Sequence, residues 1–148
     1  MVRLATPADL PQLSPLFDAY RVWYHKESDL AGATTFLSDR LQNAESIIFV
    51  HEINNELTGF TQLYPQFSST RMKRSWLLND LYVTPKFRGQ GISKLLLNAG
   101  KQHAIETNAA GVLLETDKTN VTGNQLYPSA GFQLYDQCNF YWWNNNAC

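Results

Sequence analysis

The chain has 148 residues, 44% hydrophobic and 17% charged, which suits one globular domain and excludes a disordered or fibrous polymer. Its formal net charge of −1, from 12 basic and 13 acidic residues, gives no basic excess of the kind that binds a nucleic-acid backbone. Two cysteines and three histidines show no metal-ligand spacing, and no apolar run approaches the roughly 20 residues that span a bilayer. With no apolar leader at the N-terminus, the expectation is a soluble cytoplasmic protein without a metal site. A bridge between Cys138 and Cys148 is not expected, because the second sits at the very C-terminus.

The elements follow in chain order. Val2 to Leu4 reads as a short strand, and Thr6-Pro7-Ala8-Asp9 as a capping box with proline at the first helical position. Leu10, Leu13, Phe17, Tyr20 and Tyr24 recur at helical spacing behind it. Asp29 to Ala33 is predicted as a loop, followed by a shorter helix around Thr35 to Asn43. Ser46 to Ile53 is rich in Ile, Val and Phe, Asn54-Asn55 is a hairpin turn, and Leu57 to Tyr64 is the return strand. Phe67 to Arg71 reads as a polar connection and Ser75 to Val83 as the next strand of an antiparallel meander. The basic cluster Arg71, Lys73, Arg74 reads as a solvated hairpin end.

The period then changes. Ile92, Leu95, Leu96, Ala99, His103 and Ala104 lie on one face of a helix. Val112 to Glu115 reads as a buried strand, Asn120 to Ala130 as a helix ended at Gly131-Phe132, and Phe140 to Trp143 as a strand closing the sheet. The fold class is therefore mixed α/β (α+β) in a single domain over residues 1–148.

The chemistry concentrates between Leu81 and Leu97. A strand ends near Val83, a Pro-containing turn follows, and Arg88-Gly89-Gln90-Gly91 opens into a helix. Such a loop aims several backbone N–H groups at one point, and the helix N-terminus adds about half a positive charge there. Gly89 and Gly91 remove side chains that would block a phosphate, and Arg88 and Lys94 add charge, so the loop is a candidate pyrophosphate cradle. It is neither a Walker loop, since no Gly-Lys-Ser/Thr ends it, nor a dinucleotide fingerprint, whose last glycine position is Lys94.

Arg88-Gly89-Gln90-Gly91-Ile92-Ser93, followed downstream by Asn120, Leu126-Tyr127 and Gly131-Phe132, resembles the coenzyme loop and later block of the GNAT superfamily of N-acetyltransferases. Ser93 stands where that family commonly has Gly or Ala. Leu78 to Val83 and Trp23-Tyr24 resemble the branch of polyamine, thialysine and yeast histone/polyamine acetyltransferases. The resemblance implies the GNAT fold, a mostly antiparallel mixed sheet with about four helices, and acetyl-CoA as acetyl donor. It implies coenzyme contacts from Leu81, Tyr82 and Val83, from Arg88 through Lys94, and from Asn120, which serves equally well as a helix N-cap. A backbone N–H near Tyr82 or Val83 would hold the thioester oxygen, and Tyr127 would protonate the departing thiolate.

The base is the departure. The branch carries a glutamate where this chain has Asn79, which accepts no proton. Asp80 is the nearest carboxylate, yet strand alternation places Asn79 and Asp80 on opposite faces, so Asp80 is catalytic or structural, with Glu115 as an alternative through water. Tyr24, Glu27 and Asn79, with His25 and Asp29 nearby, are expected at the acceptor pocket; His51 and His103 are not expected to be catalytic.

The function expected is acetyl transfer to a primary amine of a small polyamine- or amino-acid-like molecule. A protein or peptide acetyltransferase and a non-catalytic coenzyme A-binding regulator are the alternatives. The aromatic run Phe140 to Trp143 suggests a homodimer, since it would otherwise expose an apolar edge.

Overall fold

A computed structural model describes residues 1–146, so the pairing of Cys138 with Cys148 lies outside the described residues. The chain divides into two compact units, Met1–Glu115 and Thr116–Cys148.

In the first unit, β1 (Val2–Leu4), β2 (Ile47–Ile53), β3 (Glu56–Ser68), β4 (Lys73–Val83) and β5 (Val112–Leu113) form one sheet in sequence order. The first four strands pair antiparallel, and β5 runs parallel to β4. Helices α1 (Leu10–Trp23) and α2 (Leu30–Gln42) precede β2, and α3 (Ile92–Glu106) joins β4 to β5. Period-two alternation sorts the core. Ile48, Val50 and Phe60 pack with Leu13, Phe17 and Leu37 of α1 and α2, while Phe49, Leu81 and Val83 pack with Ile92 and Leu96 of α3. Central strand β3 is buried on both faces from Leu57 to Leu63.

The local signals at the start of the chain act as read. The Asp9 carboxylate accepts the Thr6 N–H at 2.7 Å and also pairs with Arg3, opening a 3₁₀ turn that leads into α1. Asn54 and Asn55 both take positive φ, 49° and 65°, as a two-residue hairpin requires.

Four expectations are corrected. Asp29 to Ala33 is not a loop: α2 starts at Leu30, because Asp29 caps it by accepting the Gly32 N–H at 2.9 Å. The hairpin of β3 and β4 runs past Tyr64 to Ser68, where Phe67 faces Arg74 in register and the guanidinium sits 4.9 Å from the ring. Strand β5 is two residues long and half-exposed, an edge strand and not a buried one. Phe140 to Trp143 forms no strand; its residues are 72–91% exposed. Strand propensity needs a neighbouring strand to pair with, and these residues have none. The second unit is built on α4 (Val121–Ser129), with Gly131 at a φ of 90° just beyond it.

One contact fixes how closely β3 approaches β4. A Cβ added at Gly59 would lie 2.6 Å from the Tyr82 carbonyl oxygen and 3.2 Å from Val83 Cγ2. Gly59→Ala therefore pushes the strands apart and costs about 1–3 kcal/mol, read as a melting temperature lowered by about 2–4 °C per kcal/mol. An unchanged melting temperature would mean the strands absorb the methyl.

Candidate active site

The loop after β4 has the cradle geometry. Gly89 and Gly91 take φ of 76° and 78°, and a Cβ at either would meet nothing within 4 Å, so both face open space. Gly91 is the N-cap of the 15-residue α3, whose first N–H groups point out of this loop. Gln90 and Lys94 are exposed and Ser93 half-buried at the same helix end. The Ile92 side chain is 4% exposed and packs under the loop against Val83 and Leu96, so only its backbone faces a ligand. Arg88 is exposed but folded back on the strand: its Nε donates to the Val83 carbonyl at 2.9 Å and its guanidinium carbon stands 5.5 Å from the Tyr82 ring. It braces the strand end while leaving its charge beside the cradle.

Strand β4 opens toward that loop. The bond from the Thr84 N–H to the Thr58 carbonyl sets the ladder's alternation. By that alternation the Tyr82 N–H faces β3, whereas those of Leu81 and Val83 face the opposite edge. There β5 pairs only with Trp76 and Leu77, so the edge beyond Leu77 is splayed open.

On the other face of β4 is a pocket of about 570 Å³, lined by α1, α2 and the strand. Its walls are Phe17, Tyr20, Phe36 and Tyr64, and both Asn79 and Asp80 line it. This overturns the expectation that only one of them does. The β3–β4 register slips at Gln62/Leu63, so that Gln62 pairs with Asp80 but Leu63 with Leu78, leaving Asn79 as the extra residue of a bulge. Before the bulge, Leu78 packs beside Gly100 of α3. After it, Leu81 and Val83 face α3 again, and Asn79, Asp80 and Tyr82 are delivered to the α1–α2 side.

Asp80 is 3% exposed. Its Oδ2 accepts from Gln62 Nε2 at 2.6 Å and its Oδ1 from Asn79 Nδ2 at 3.0 Å. Gln62 is oriented in turn by the buried Ser46 hydroxyl, which donates to its Oε1 at 2.7 Å. Burial pushes the Asp80 carboxyl above the usual carboxylate range, against the opposing hydrogen bonds from Gln62 and Asn79. Burial and the Asp80 charge push the Tyr64 phenol up to about 12, so it stays neutral. The Tyr20 hydroxyl donates to the Asn79 carbonyl at 3.1 Å and so clamps α1 onto the bulge.

The remaining candidates separate. Tyr24 lines the pocket; Glu27 does not, and its backbone carbonyl serves as an acceptor for Arg21 at 3.2 Å. Asp29 is the acidic residue of that loop that reaches the pocket. Glu115 is exposed and does not line it. His51 bonds Thr58 Oγ1 at 2.6 Å, and the His103 ring packs 4.7 Å from that of Trp76, so both are structural. In the second unit, Asn120 caps α4 by accepting the Gly123 N–H at 3.1 Å and donating to Thr116 at 2.8 Å. Tyr127 sits on α4 with its ring 6.2 Å from Phe132.

Sequence reasoning missed Gln62, Tyr20 and Tyr64 as site residues. The strand's own pattern does not mark the bulge, because Trp76, Leu77 and Leu78 are consecutive apolar residues and leave the alternation undefined there.

The acetyltransferase (GNAT) family model matches residues 11–132, and the chain belongs to that family. An uncharacterised N-acetyltransferase of Bacillus subtilis strain 168, YhfO, is 44% identical over 132 residues, 89% of each chain. A crystal structure of a probable acetyltransferase superposes with a TM-score of 0.94 at 36% identity, over 99% of this chain and 98% of that one. A predicted acetyltransferase from Clostridium acetobutylicum, solved with acetyl-CoA, shares the fold with a TM-score of 0.76 at 22% identity, over 99% and 95% of the two chains. The protein is thus an acetyl-CoA-dependent acetyltransferase, and the open glycine cradle at the start of α3 suits the coenzyme's phosphates.

Proposed function

We propose that the protein acetylates the primary amine of a small molecule by direct attack within the Asp80 pocket, with Asp80 as general base. The observation that carries this is the bulge at Asn79, which puts a buried, hydrogen-bonded carboxylate into an open, aromatic-lined pocket on the strand whose edge splays beyond Leu77. Acetyl-CoA supplies an activated acetyl carbonyl when bound. The cradle from Arg88 to Lys94 holds its phosphates through backbone N–H groups, with Lys94 adding charge. Of the two N–H groups expected to meet the thioester oxygen, the ladder alternation favours Val83 over Tyr82.

In this reading the amine nitrogen bonds to the acetyl carbon, and Asp80 takes the proton that the nitrogen must lose. The carbon–sulfur bond then breaks, and Tyr127, assigned through its Leu-Tyr-x-x-x-Gly-Phe context, gives the thiolate its proton. Tyr127→Phe is expected to lower kcat by about a hundredfold or more while acetyl-CoA still raises the melting temperature. Equal loss of coenzyme binding would make Tyr127 a structural residue.

The polyamine-like branch and a cytoplasmic location belong to this reading as expectations. So does a homodimer, supported by the exposure of Phe140, Tyr141, Trp142 and Trp143. Deleting residues 140–146 and finding the same oligomeric state by light scattering argues against that dimer.

The test of the activity is release of free thiol from acetyl-CoA against polyamines, amino acids, aminoglycosides and short peptides. Turnover with free amines supports the proposal, and turnover with peptides alone moves the acceptor to proteins. Silence throughout, with acetyl-CoA still stabilising the fold, supports the non-catalytic coenzyme-binding alternative.

A further inference from the structure

Three residues that line the pocket, Tyr24, Lys26 and Asp29, sit on the short connection between α1 and α2. Its first half is fixed by the end of α1 itself. His25 takes a φ of 63°, its N–H reaches the Val22 carbonyl at 2.9 Å, and the Lys26 N–H reaches the Arg21 carbonyl at 3.0 Å. Those two bonds around a left-handed residue close the helix as a Schellman motif. The second half is tied back to α1 by side chains. Asp18, 9% exposed, accepts the Ser28 hydroxyl on Oδ2 at 2.6 Å and the Asp29 N–H on Oδ1 at 2.8 Å. Its charge pairs with Arg21 at 3.7 Å, and Arg21 donates in turn to the Glu27 carbonyl at 3.2 Å. Asp18 does not line the pocket, yet Glu27, Ser28 and Asp29 are each bonded to it or to its partner Arg21. Asp29 lines the pocket while its carboxylate caps α2, so the bond from its N–H to Asp18 also sets where α2 brings Phe36 to the wall. The Ser28 and Asp29 hydrogen bonds, working against desolvation, hold the Asp18 carboxyl below the usual carboxylate range, so at neutral pH it is ionised and accepts both.

We infer that Asp18 is a positioning residue for the acceptor: it holds the α1–α2 wall of the pocket in the shape that binds the amine, without touching the amine. This rests on the reading of the pocket as the acceptor site. Without the two bonds to the carboxylate, the segment from Glu27 to Asp29 samples positions in which the wall is displaced. The amine then finds only a fraction of the molecules with the wall in place, and its apparent affinity falls by that fraction. The chemistry of the bound complex is untouched, because Asp80 keeps its own bonds from Gln62 and Asn79. The glycine cradle lies in the loop after β4 and does not depend on Asp18 either.

The test is steady-state thiol release by the wild type, Asp18→Ala, Asp18→Asn and Ser28→Ala, each assayed well below its own melting temperature. Spermidine, lysine and 2-phenylethylamine are the probes, and the one turned over fastest is varied. Asp18→Ala should raise the amine KM by about tenfold or more, the worth of one hydrogen bond to a charged group. Its kcat and acetyl-CoA KM should stay as they are, the pattern of lost binding without lost chemistry. Asp18→Asn keeps an oxygen for the Asp29 N–H and an amide that the Ser28 hydroxyl can accept from, so it should restore most of the amine KM. Ser28→Ala, at an exposed position, removes one of the two bonds and should raise the amine KM by about two- to fivefold; it carries the test if Asp18→Ala does not fold. An unchanged amine KM in Ser28→Ala and Asp18→Ala overturns the inference alone. So does a fall in kcat in place of the rise in KM, or an equal rise in both Michaelis constants. A wild type that turns over none of the amines, with acetyl-CoA still raising its melting temperature, overturns the reading of the pocket and this inference with it.

Discussion

Asp80→Asn is expected to lower kcat/KM for the amine by about two to four orders of magnitude, the range removed with a positioned general base. Acetyl-CoA binding, read by the rise in melting temperature, should persist, because the cradle at Gly89 and Gly91 lies beyond the end of β4. The pH profile separates a base from a strut. As the proposed base Asp80 would act only when ionised, and burial raises its pKa above the usual carboxylate range. The acid limb of kcat/KM in the wild type should therefore lie above that range, with activity lost as pH falls through it. In the Asn variant this limb should be absent from the residual rate.

Stability runs the other way. A carboxyl whose folded pKa exceeds its unfolded value contributes fully below the unfolded pKa, and that contribution is lost as pH rises through the folded one. The melting temperature of Asp80→Asn minus that of the wild type should accordingly grow more positive from about pH 4 upward. Gln62 is the positioning residue in this scheme, since its amide reaches Asp80 at 2.6 Å and is itself fixed by Ser46. If Asp80→Asn retained wild-type turnover and the same pH limb, proton removal would have to be assigned elsewhere.

What the sequence disclosed and what it hid divide along one physical line. Features set by neighbours in the chain were legible. The Thr6–Asp9 capping box, the Asn54-Asn55 turn and the Gly89–Gly91 loop each depend on residues within a turn of one another. Asp29 belongs to the same class: an acid three residues before Gly32 caps α2, and the Asp29 to Ala33 loop expectation gave too little weight to that cap. Features set by pairing across the sheet were not legible from alternation alone. A one-residue bulge reverses which face every later side chain takes, and this is why Asn79 and Asp80 share the pocket. The chain from Ser46 through Gln62 to Asp80 crosses three strands' worth of sequence and is assembled only by the β2–β3–β4 pairing. The aromatic run Phe140 to Trp143 failed as a strand for the same reason, since propensity without a partner strand forms no ladder.

Gly91→Ala should act on the donor side alone. At a φ of 78° an added Cβ clashes with the chain's own backbone, costing about 1–2 kcal/mol in the left-handed conformation. No neighbour within 4 Å adds to that cost, so the protein folds, with a melting temperature lower by about 2–8 °C. The larger effect is on acetyl-CoA. The methyl projects into open space at the mouth of the cradle, where phosphate oxygens must approach the backbone N–H groups of the first turn of α3. Losing one or two such charge-assisted bonds raises the acetyl-CoA KM by about tenfold to a hundredfold. The amine KM should stay as it is, because Asp80, Gln62 and the aromatic walls lie on the α1–α2 side of the sheet, whereas the loop is anchored through Ile92 on the α3 side. That split between two Michaelis constants tests the proposed division of labour, in which the α3 side would bind the donor and the α1–α2 side the acceptor, with the open end of β4 between them. A rise in both constants together would mean that the strand end transmits strain from loop to pocket through Arg88, which bonds Val83 and stands over Tyr82.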